Sequence, residues 1–430
     1  MNKKLKNKKI KIIFGLILLI TLNFASILSF HAPMKKNNSE LYELRNSGLS
    51  YDIEINDLPG SLTNWSWAAT QPWFGGGSGT SGDPYIIEDE TFMYSSGIGE
   101  CLRIFHSRKH FIVRNCIIIN SHPSWAGLHL YNVTNGQILN NDIIFNGYGI
   151  VYIDVSNTLI SNNNISVYTD YGIWLLGDCE NNIIIGNTVN GNGGNYGIAL
   201  DFNADNNTIY DNVITENIDT GIYIGAGSEG NLLYRNLFLS NGRHASDDGS
   251  NNNWNSTAIG NYWDNWTSPD VSPNDGIVDD PYYYIGGSAG SIDYLPIAED
   301  GPPSIIINSP SEGDVFGTSA PSFNVTITDN LLDKTWYTLD GGLTKFVFTA
   351  NGIINQTAWA ALSEGSVTIK FYANDLLGNL AYETVFVVKS LPTPEDNFVV
   401  IIIIVISIVS GVAIVTVVLL LRRRKAGGEV

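Results

Sequence analysis

Three aspartates recur at similar places in a repeated unit, and their type and spacing could do acid–base chemistry. Asp154, Asp178 and Asp201 follow glycines of the repeat by five, six and four residues. If neighbouring repeats lie side by side, the carboxyl groups would be about 5–9 Å apart, within the range that glycosidases use. Asp is also common in solvated turns, so a structural role stays open. The chemical hypothesis is a polysaccharide hydrolase or lyase.

Aromatic residues occupy outward positions of the same repeats. Tyr148, Tyr171 and Tyr196 each precede a glycine, and Trp174 and Tyr223 share another outward position. Aromatic surfaces of this kind can hold sugar rings, because the rings are flat and apolar. Stacked side chains on neighbouring strands can equally stiffen a sheet. Both interpretations stay open, and the five residues are candidate ligand-binding residues.

A third group of side chains suggests a metal site. Asp270, Asp275, Asp279 and Asp280 supply many oxygen ligands within a short segment. Calcium prefers oxygen ligands, although this spacing does not match the EF-hand loop. The four aspartates are therefore candidate calcium ligands. No other pattern in the sequence requires a cofactor.

Charge is distributed unevenly along the 430 residues, whose formal net charge is −19. Ten of the 23 basic residues lie in the first 11 and the last nine residues, so the chain between them is strongly acidic. Such a body repels nucleic acid, which excludes that class of partner. Cys101, Cys116 and Cys179 are too few and odd in number for a disulfide framework. We expect them to be buried as small hydrophobic residues.

Glycine marks a repeated unit of 22 to 25 residues. The positions are Gly127, Gly149, Gly172, Gly197 and Gly221. Two apolar residues separated by one residue follow each glycine, as Ile150 and Tyr152 do. A period of two is typical of a strand with one buried face. The repeat therefore predicts one such strand in each unit.

Asparagine forms a second recurrent column, fourteen or fifteen residues into each unit. Its predicted members are Asn115, Asn141, Asn163, Asn187, Asn212 and Asn236. If each unit is one coil of a solenoid, equivalent residues stack about 4.8 Å apart. Inward amides can then bond the amides above and below, whereas one buried amide left unpaired would cost about 1–3 kcal/mol. These columns predict a parallel β-helix over residues 84–298, and crossover chirality makes it right-handed.

Several segments carry a family resemblance. They are GTSGDPYIIED (Gly79–Asp89), the repeat GIxLxxxxxNNxIxxNxI and the exit GNYWDNWTSPDVSPNDGIVDDPYYYIGG (Gly260–Gly287). Residues 75–296 resemble the right-handed β-helix surface proteins grouped with the periplasmic copper-binding NosD family, of the type common in archaea. The resemblance implies the fold and does not transfer an activity. No cluster of Met, Cys and His accompanies it, so we do not expect copper from these residues.

Two further parts flank the repeats in an all-β chain. Residues 33–83 are predicted to be an N-terminal segment and cap, because a solenoid end needs a cover. Short alternating strands in residues 302–390 resemble a small immunoglobulin-like β-sandwich, which we expect to act as a spacer. Residues 391–397 contain two prolines and predict a short linker.

The two ends of the chain predict a place in the cell. Lysine-rich and then apolar, residues 1–32 have the pattern of a signal peptide or an N-terminal anchor. Residues 398–421 carry no charge and are long enough for a transmembrane helix. The basic residues in 422–430 predict a cytoplasmic tail, which leaves the bulk of the chain outside the cell membrane. Several glycosylation sequons in that bulk agree with this expectation.

These patterns lead to two functional hypotheses from different classes. The first is a membrane-anchored cell-surface β-helix that acts as a non-catalytic binding or adhesion module for carbohydrate, other surface proteins or cell-envelope components. It depends on the repeat, the two ends and the lack of a catalytic signature. The alternative is a carbohydrate-active enzyme that uses the acidic residues on the outer face. A basic residue beside those acids would favour the enzyme, and the sequence places none there.

Overall fold

The computed structural model describes residues 49–95, 99–191, 193–271, 275–341 and 343–391. These residues form two compact units. The first contains the described residues up to 232 together with 239–252 and 286–290, and the second contains 233–238, 253–285 and those from 291 onward. The predicted signal or anchor, transmembrane segment and cytoplasmic tail lie outside the described residues. Within the described ranges, no helix is long and apolar enough to cross a membrane.

Short strands dominate the chain up to residue 263. They are β1 (Leu49–Tyr51), β2 (Ile53–Asn56), β3 (Phe74–Gly76), β4 (Tyr85–Glu88), β5 (Thr91–Met93), β6 (Leu102–Phe105), β7 (Phe111–Arg114), β8 (Ile117–Ile119), β9 (Ala126–Thr134), β10 (Gly136–Leu139), β11 (Asp142–Ile144), β12 (Tyr148–Ser156), β13 (Leu159–Ser161), β14 (Asn164–Ser166), β15 (Tyr171–Leu176), β16 (Ile183–Ile185), β17 (Thr188–Asn190), β18 (Tyr196–Asp201), β19 (Thr208–Tyr210), β20 (Val213–Thr215), β21 (Thr220–Ile224), β22 (Leu232–Tyr234), β23 (Leu237–Leu239), β24 (Arg243–Asp247) and β25 (Tyr262–Trp263). One short helix, α1 (Trp65–Ala68), interrupts them.

In the first unit these strands form three sheets. Sheet one has the order β1-β5-β8-β11-β14-β17-β20, sheet two β19-β16-β13-β10-β7-β4-β3, and sheet three β2-β6-β9-β12-β15-β18-β21-β24. Successive strands within each sheet pair in parallel, except that β3 and β4 are antiparallel. Each coil therefore contributes one strand to each sheet. The predicted parallel β-helix is confirmed as a solenoid of about seven turns, and its right hand stays a prediction.

Parallel pairing begins close to the first described residue. Strand β1 pairs with β5 and β2 pairs with β6, so part of the predicted N-terminal cap contributes strands to sheets one and three. Helix α1 lies between β2 and β3, and its Trp65 is buried. The indole Nε1–H of Trp65 donates to Ser107 Oγ at 2.8 Å, and the ring stacks on Tyr85 at 4.6 Å.

The core of the solenoid consists of apolar columns, as the alternation predicts. Inward residues of successive coils are Ile118, Ile143, Ile165, Val189 and Ile214 in sheet one, Ile138, Ile160, Ile184 and Ile209 in sheet two, and Ile104, Leu130, Tyr152, Leu175, Leu200 and Ile224 in sheet three. All are at most 1% exposed. Burying such side chains contributes about 1.5–3 kcal/mol each, so three sheets sharing one core stabilise the coil strongly.

An inward asparagine ladder runs beside sheet one. In the first unit Asn141 Nδ2 donates to Asn163 Oδ1 at 2.9 Å, Asn163 donates to Asn187 at 2.9 Å, and Asn187 donates to Asn212 at 3.0 Å. Each amide oxygen also accepts the backbone N–H of the residue one coil earlier. The four side chains are at most 1% exposed. The ladder thus satisfies polar groups that burial would otherwise penalise.

The position predicted for Asn115 requires a correction. Strand register pairs Asp142 with Ile117, which puts Cys116 in line with Asn141. Asn141 Oδ1 accepts the N–H of Cys116 at 2.9 Å, while Asn115 is exposed with a φ of 54°. Asn115 therefore matches Asn140, which has the same φ. Both residues adopt the left-handed backbone conformation at a corner of the coil, which Asn tolerates better than most residues.

A second asparagine ladder was not predicted. Asn207 Nδ2 donates to Asn231 Oδ1 at 3.1 Å, and Asn231 Nδ2 donates to Asn252 Oδ1 at 3.0 Å. Upstream, Asn182 accepts both the N–H and the hydroxyl of Thr158. Asn182, Asn207 and Asn231 each stand five residues before a member of the first ladder. This constant offset was the sequence signal that could have revealed the second ladder.

The second unit has its own asparagine ladder, which ends at an aspartate. Asn236 Nδ2 donates to Asn261 Oδ1 at 3.0 Å, and the backbone N–H of Asn261 donates to Asp293 Oδ2 at 2.7 Å. The Trp263 indole N–H donates to the same oxygen at 3.0 Å. Burial raises the pKa of Asp293 to about 6, against the hydrogen bonds from Asn261 and Trp263, which lower it.

The rest of the second unit is rich in sheet. Its strands are β26 (Ser304–Ser309), β27 (Val315–Phe316), β28 (Ser322–Thr328), β29 (Leu332–Leu339), β30 (Phe346–Val347), β31 (Gly352–Ile353), β32 (Gly365–Asp375) and β33 (Leu380–Lys389). They form a sheet of order β26-β28-β31 and another of order β27-β33-β32-β29-β30. Helix α2 (Gln356–Ala361) supplies Trp359 to a core that also contains Ile369 and Phe371. The immunoglobulin-like assignment of this part stays a prediction.

The Asn115 correction leads to a stability test. Replacing Asn141 by Ala leaves the Cys116 N–H and the Val113 carbonyl without their partner. We expect the free energy of unfolding to fall by about 2–6 kcal/mol, at about 1–3 kcal/mol for each of the two unpaired buried groups. The matched variant Asn115→Gly should cost less than about 1 kcal/mol, because Gly adopts a positive φ readily. Equal losses in urea denaturation of the two variants would contradict the revised register.

The second test concerns pH. Because the folded-state pKa of Asp293 is raised, its stabilising contribution is complete below the unfolded pKa of 3.8 and is lost as pH rises through about 6. A shift of about two pKa units corresponds to about 3 kcal/mol at most. Unfolding free energies from pH 3.5 to 7 should therefore fall less for Asp293→Asn than for the wild type. The exposed control Asp280→Asn should keep the wild-type slope, and an unchanged slope in Asp293→Asn would argue against this role.

Candidate functional site

The candidate site lies on the outward face of sheet three. Register aligns Tyr171 with Tyr196, and it aligns Trp174 with Ala199 and then Tyr223. Tyr148 precedes the aligned residue Ile150 by two positions, just as Tyr171 precedes Ile173. Alternation along the strands puts Trp174 and Tyr223 outward, next to the buried Ile173 and Ile222. Tyr148, Tyr171 and Tyr196 each begin a strand just before a glycine, and their rings contact Trp174 or Tyr223. We call Tyr148, Tyr171, Trp174, Tyr196 and Tyr223 the aromatic face.

Close stacking holds the middle of the aromatic face together. The rings of Tyr171 and Trp174 are 4.6 Å apart and inclined by 10°, and those of Tyr171 and Tyr196 are 5.0 Å apart and inclined by 13°. Each stacked pair contributes about 0.5–1.5 kcal/mol beyond its burial. This stacked geometry favours a stiffening role for the middle of the face, and that role stays a prediction.

The two outer rings are oriented differently. Tyr148 lies 5.9 Å from Tyr171 at an angle of 38°, and Tyr223 lies 5.9 Å from Tyr196 at 48°. All five rings are partly exposed. Since the outer rings are tilted rather than stacked on their neighbours, they are the members best placed to offer a ring face to a ligand.

Carboxylates border the aromatic face. Asp201 Oδ2 accepts the indole N–H of Trp174 at 3.0 Å, and burial raises the pKa of Asp201 despite this bond. Asp170 accepts from Asn195 Nδ2 at 3.0 Å. Asp219 is exposed and accepts the hydroxyl of Tyr196. The rim of the site is therefore acidic.

The tyrosines respond to those charges. Burial, followed by the charges of Asp170 and Asp201, raises the pKa of Tyr171. The hydrogen bond to Asp219 is the main cause that raises the pKa of Tyr196. Burial and then Asp201 raise the pKa of Tyr223. The phenols therefore remain neutral hydrogen-bond donors at physiological pH.

The three predicted catalytic aspartates do not form one column. Asp201 is in register with Leu176, two residues before Asp178. Asp154 Oδ1 accepts the backbone N–H of Asp178 at 3.3 Å, and Asp178 Oδ1 accepts Asn203 Nδ2 at 3.1 Å. The expected alignment is wrong, because the aspartates stand five, six and four residues after glycines that the strand register keeps in line. Asp201 alone borders the aromatic face.

The candidate calcium ligands each bond to nearby groups of their own segment. Asp270 accepts the N–H of Gly276 at 2.7 Å, Asp279 accepts the N–H of Val271 at 3.2 Å, and Asp280 accepts the Ser268 hydroxyl at 2.7 Å. Asp275 accepts the N–H of Ile277 at 3.2 Å. In the described ranges, no group of three or more His, Cys, Asp or Glu side chains could hold a metal ion. A calcium role for these aspartates stays a prediction.

An ionic network at the start of sheet three was not predicted. Arg103 binds Glu54 through Nη2, and its Nε lies 3.4 Å from Glu100 Oε2. His129 Nδ1 lies 2.5 Å from Glu100 Oε1. The strand register puts Glu54, Arg103 and His129 in one column of sheet three, and Glu100 lies three residues before Arg103.

Solved structures to which the chain is similar include two epimerases and a tailspike protein. Periplasmic alginate epimerase AlgG is 21% identical, over 38% of each chain, with a TM-score of 0.34. The Azotobacter vinelandii mannuronan C-5 epimerase AlgE4 A-module is 13% identical, over 43% of this chain and 65% of the other, with a TM-score of 0.32. Tailspike protein 2 of an Escherichia coli O157:H7 bacteriophage is 11% identical, over 70% and 55%, with a TM-score of 0.29. These scores are too low to support an argument about activity.

A curated relative is closer in sequence. The chain is 30% identical over 210 residues to a "Cell surface glycoprotein" of Methanothermus fervidus. The match covers 46% of this chain and 30% of the relative. The chain therefore spans less than a third of the length of that relative.

The family model of the "Periplasmic copper-binding protein (NosD)" matches residues 79–268. The described residues do not fit a copper site. Burial raises the pKa of Cys101 and Cys116 to about 12 and that of Cys179 to about 11, which disfavours the thiolate that binds metal. The match lies on the repeats that build the solenoid and the aromatic face. Over residues 79–268 the chain is therefore similar to the NosD family, and its described fold is a parallel β-helix.

Proposed function

We propose that this protein is a cell-surface β-helix that binds carbohydrate through the aromatic face without cleaving it. The observation that carries the proposal is the alignment of five partly exposed rings on one outward face. Similarity to an archaeal cell surface glycoprotein supports the surface location. Residues 398–421 would anchor the chain in the membrane, and the sheet-rich part of the second unit would serve as an immunoglobulin-like spacer.

The chemistry of the aromatic face suits a chain of sugars. The C–H faces of a sugar can pack against Tyr148 and Tyr223, while the rim carboxylates accept sugar hydroxyls. The tyrosines of β12, β15, β18 and β21 mark four successive coils, which at about 4.8 Å per coil span about 14 Å. That length accommodates several sugar rings in a row. A stacked middle keeps the surface rigid, so little conformational entropy is lost on binding.

One observation favours the enzymatic alternative. Asp201 borders the aromatic face, and burial raises its pKa, which suits a general acid. Glycoside hydrolysis also needs a second carboxylate on the other side of the scissile bond. Asp154 instead accepts the backbone N–H of Asp178, and Asp178 accepts the side-chain amide of Asn203. Binding without cleavage is therefore the better-supported function.

Glycan binding by the purified full-length chain tests the proposal. On a glycan array followed by titration calorimetry, Tyr148→Ala and Tyr223→Ala should each weaken binding about 3- to 10-fold, the range for loss of one aromatic contact. The control Tyr283→Ala alters a ring that is 56% exposed outside the aromatic face and should bind as the wild type does. An array with no bound glycan would overturn the proposal. Glycan fragments that form with the wild type but not with Asp201→Asn would establish the alternative.

The stiffening role of the middle rings makes a separate prediction. Tyr171→Leu removes two stacked pairs, so the free energy of unfolding should fall by about 1–3 kcal/mol. Tyr223→Leu removes one tilted contact and should cost less. Urea denaturation of both variants measures the difference. Equal losses would show that stacking in the middle of the face adds nothing to stability.

A further inference from the structure

We infer that the aromatic face selects neutral glycans and rejects polyuronates and other anionic polysaccharides. The inference deepens the proposed function and rests on it. It is carried by the position of three aspartates around the rings, since their charge decides which sugars can approach. The class of ligand is thus an uncharged polysaccharide chain.

The three carboxylates are distributed along the face. Asp170 directly precedes Tyr171 in sequence and bonds to Asn195 of the next coil. Asp201 is bonded to Trp174, and Asp219 is bonded to Tyr196. A glycan in contact with the rings therefore lies close to at least one carboxylate wherever it binds along the face.

Like charge makes an acidic sugar unfavourable there. A uronate carboxylate near Asp170, Asp201 or Asp219 would meet repulsion that water only partly screens. Aromatic ring faces carry negative potential as well, so they attract cations and C–H groups and repel anions. Both components of the site act in the same direction. A neutral sugar escapes this penalty.

Two arginines of sheet three do not offset the acidic rim. The Arg103 guanidinium is bound to Glu54 and Glu100, so its charge is compensated within the protein. Arg243 is exposed on β24 and aligned with Thr220, which is itself aligned with Tyr196, so Arg243 lies two coils beyond that ring. A single arginine at one end cannot neutralise three carboxylates spread over the face.

The same carboxylates give a neutral sugar positive recognition. A sugar hydroxyl that donates to an ionised carboxylate forms a charge-assisted hydrogen bond, which is stronger than one between neutral groups. The exposed Asp219 and the partly exposed Asp170 can each accept such hydroxyls. A neutral sugar offers hydroxyl donors to the carboxylates and C–H faces to the rings, so it contacts both parts of the site.

The test compares matched sugars on the full-length chain. The probes are cellohexaose and mannohexaose, each paired with its form oxidised at C6 to the uronate, with the charged and uncharged members of a glycan array as the wider set. Titration calorimetry in 20 mM and 300 mM salt should show neutral hexamers binding at least tenfold more tightly at low salt. The preference should shrink at high salt, because salt screens the repulsion.

A double variant isolates the carboxylates. Asp170→Asn with Asp219→Asn should reduce the preference for the neutral hexamer about fivefold, in line with the modest strength of exposed charge pairs. The control Asp154→Asn removes an exposed carboxylate that accepts the backbone N–H of Asp178 and lies outside the rim, so it should leave the preference unchanged. Tighter binding of the uronates, or an equal effect of the control, would overturn the inference and leave carbohydrate binding intact. Failure of every neutral and acidic glycan to bind would overturn the proposed function and the inference together.

Discussion

Buried amide-to-amide hydrogen bonding is the constraint on which the rest of the solenoid depends. An asparagine inside an apolar core is costly unless its oxygen and both its N–H groups are satisfied. In the first unit, Asn163 meets this demand with the amide of the next coil and with backbone groups of its neighbours. The bonds form only if successive coils keep one spacing and one register. The need to satisfy the buried amides therefore fixes the spacing and register of the whole coil.

The same register fixes the positions of residues on the outer surface. Because inward residues are fixed in columns, outward residues on the same strands are fixed as well, and rings such as Tyr171 and Tyr196 stack at 5.0 Å. No residue of the aromatic face needs a dedicated support. A solenoid can therefore present an extended flat surface with little further design, which explains why this architecture suits binding to long polymers.

The acidic rim makes the electrostatic potential of that surface negative, because the charge of Arg103 is compensated within the protein. Asp201 is held by Trp174, so the ring and the carboxylate are positioned together. Glu54 and Glu100 compensate the charge of Arg103. The fold itself supplies rigidity and repetition, and in our proposal the placement of a few charged residues supplies selectivity. Function is therefore read from the surface columns and not from the solenoid fold.

The sequence by itself determined the coil, the apolar core and the aromatic face, because residues at a fixed period must stack once the chain is a solenoid. Asn141, Asn163 and Tyr171 could be placed on this basis alone. Only the tertiary structure decided that Cys116 and not Asn115 stands in line with Asn141, since a one-residue difference in coil length cannot be located from a period. Asp154, Asp178 and Asp201 stand five, six and four residues after their glycines, so their separation along the coil follows from the sequence. Only the tertiary structure decided that Glu54, Arg103 and His129, which share one column, join Glu100 in an ionic network, because a repeat does not fix side-chain contacts.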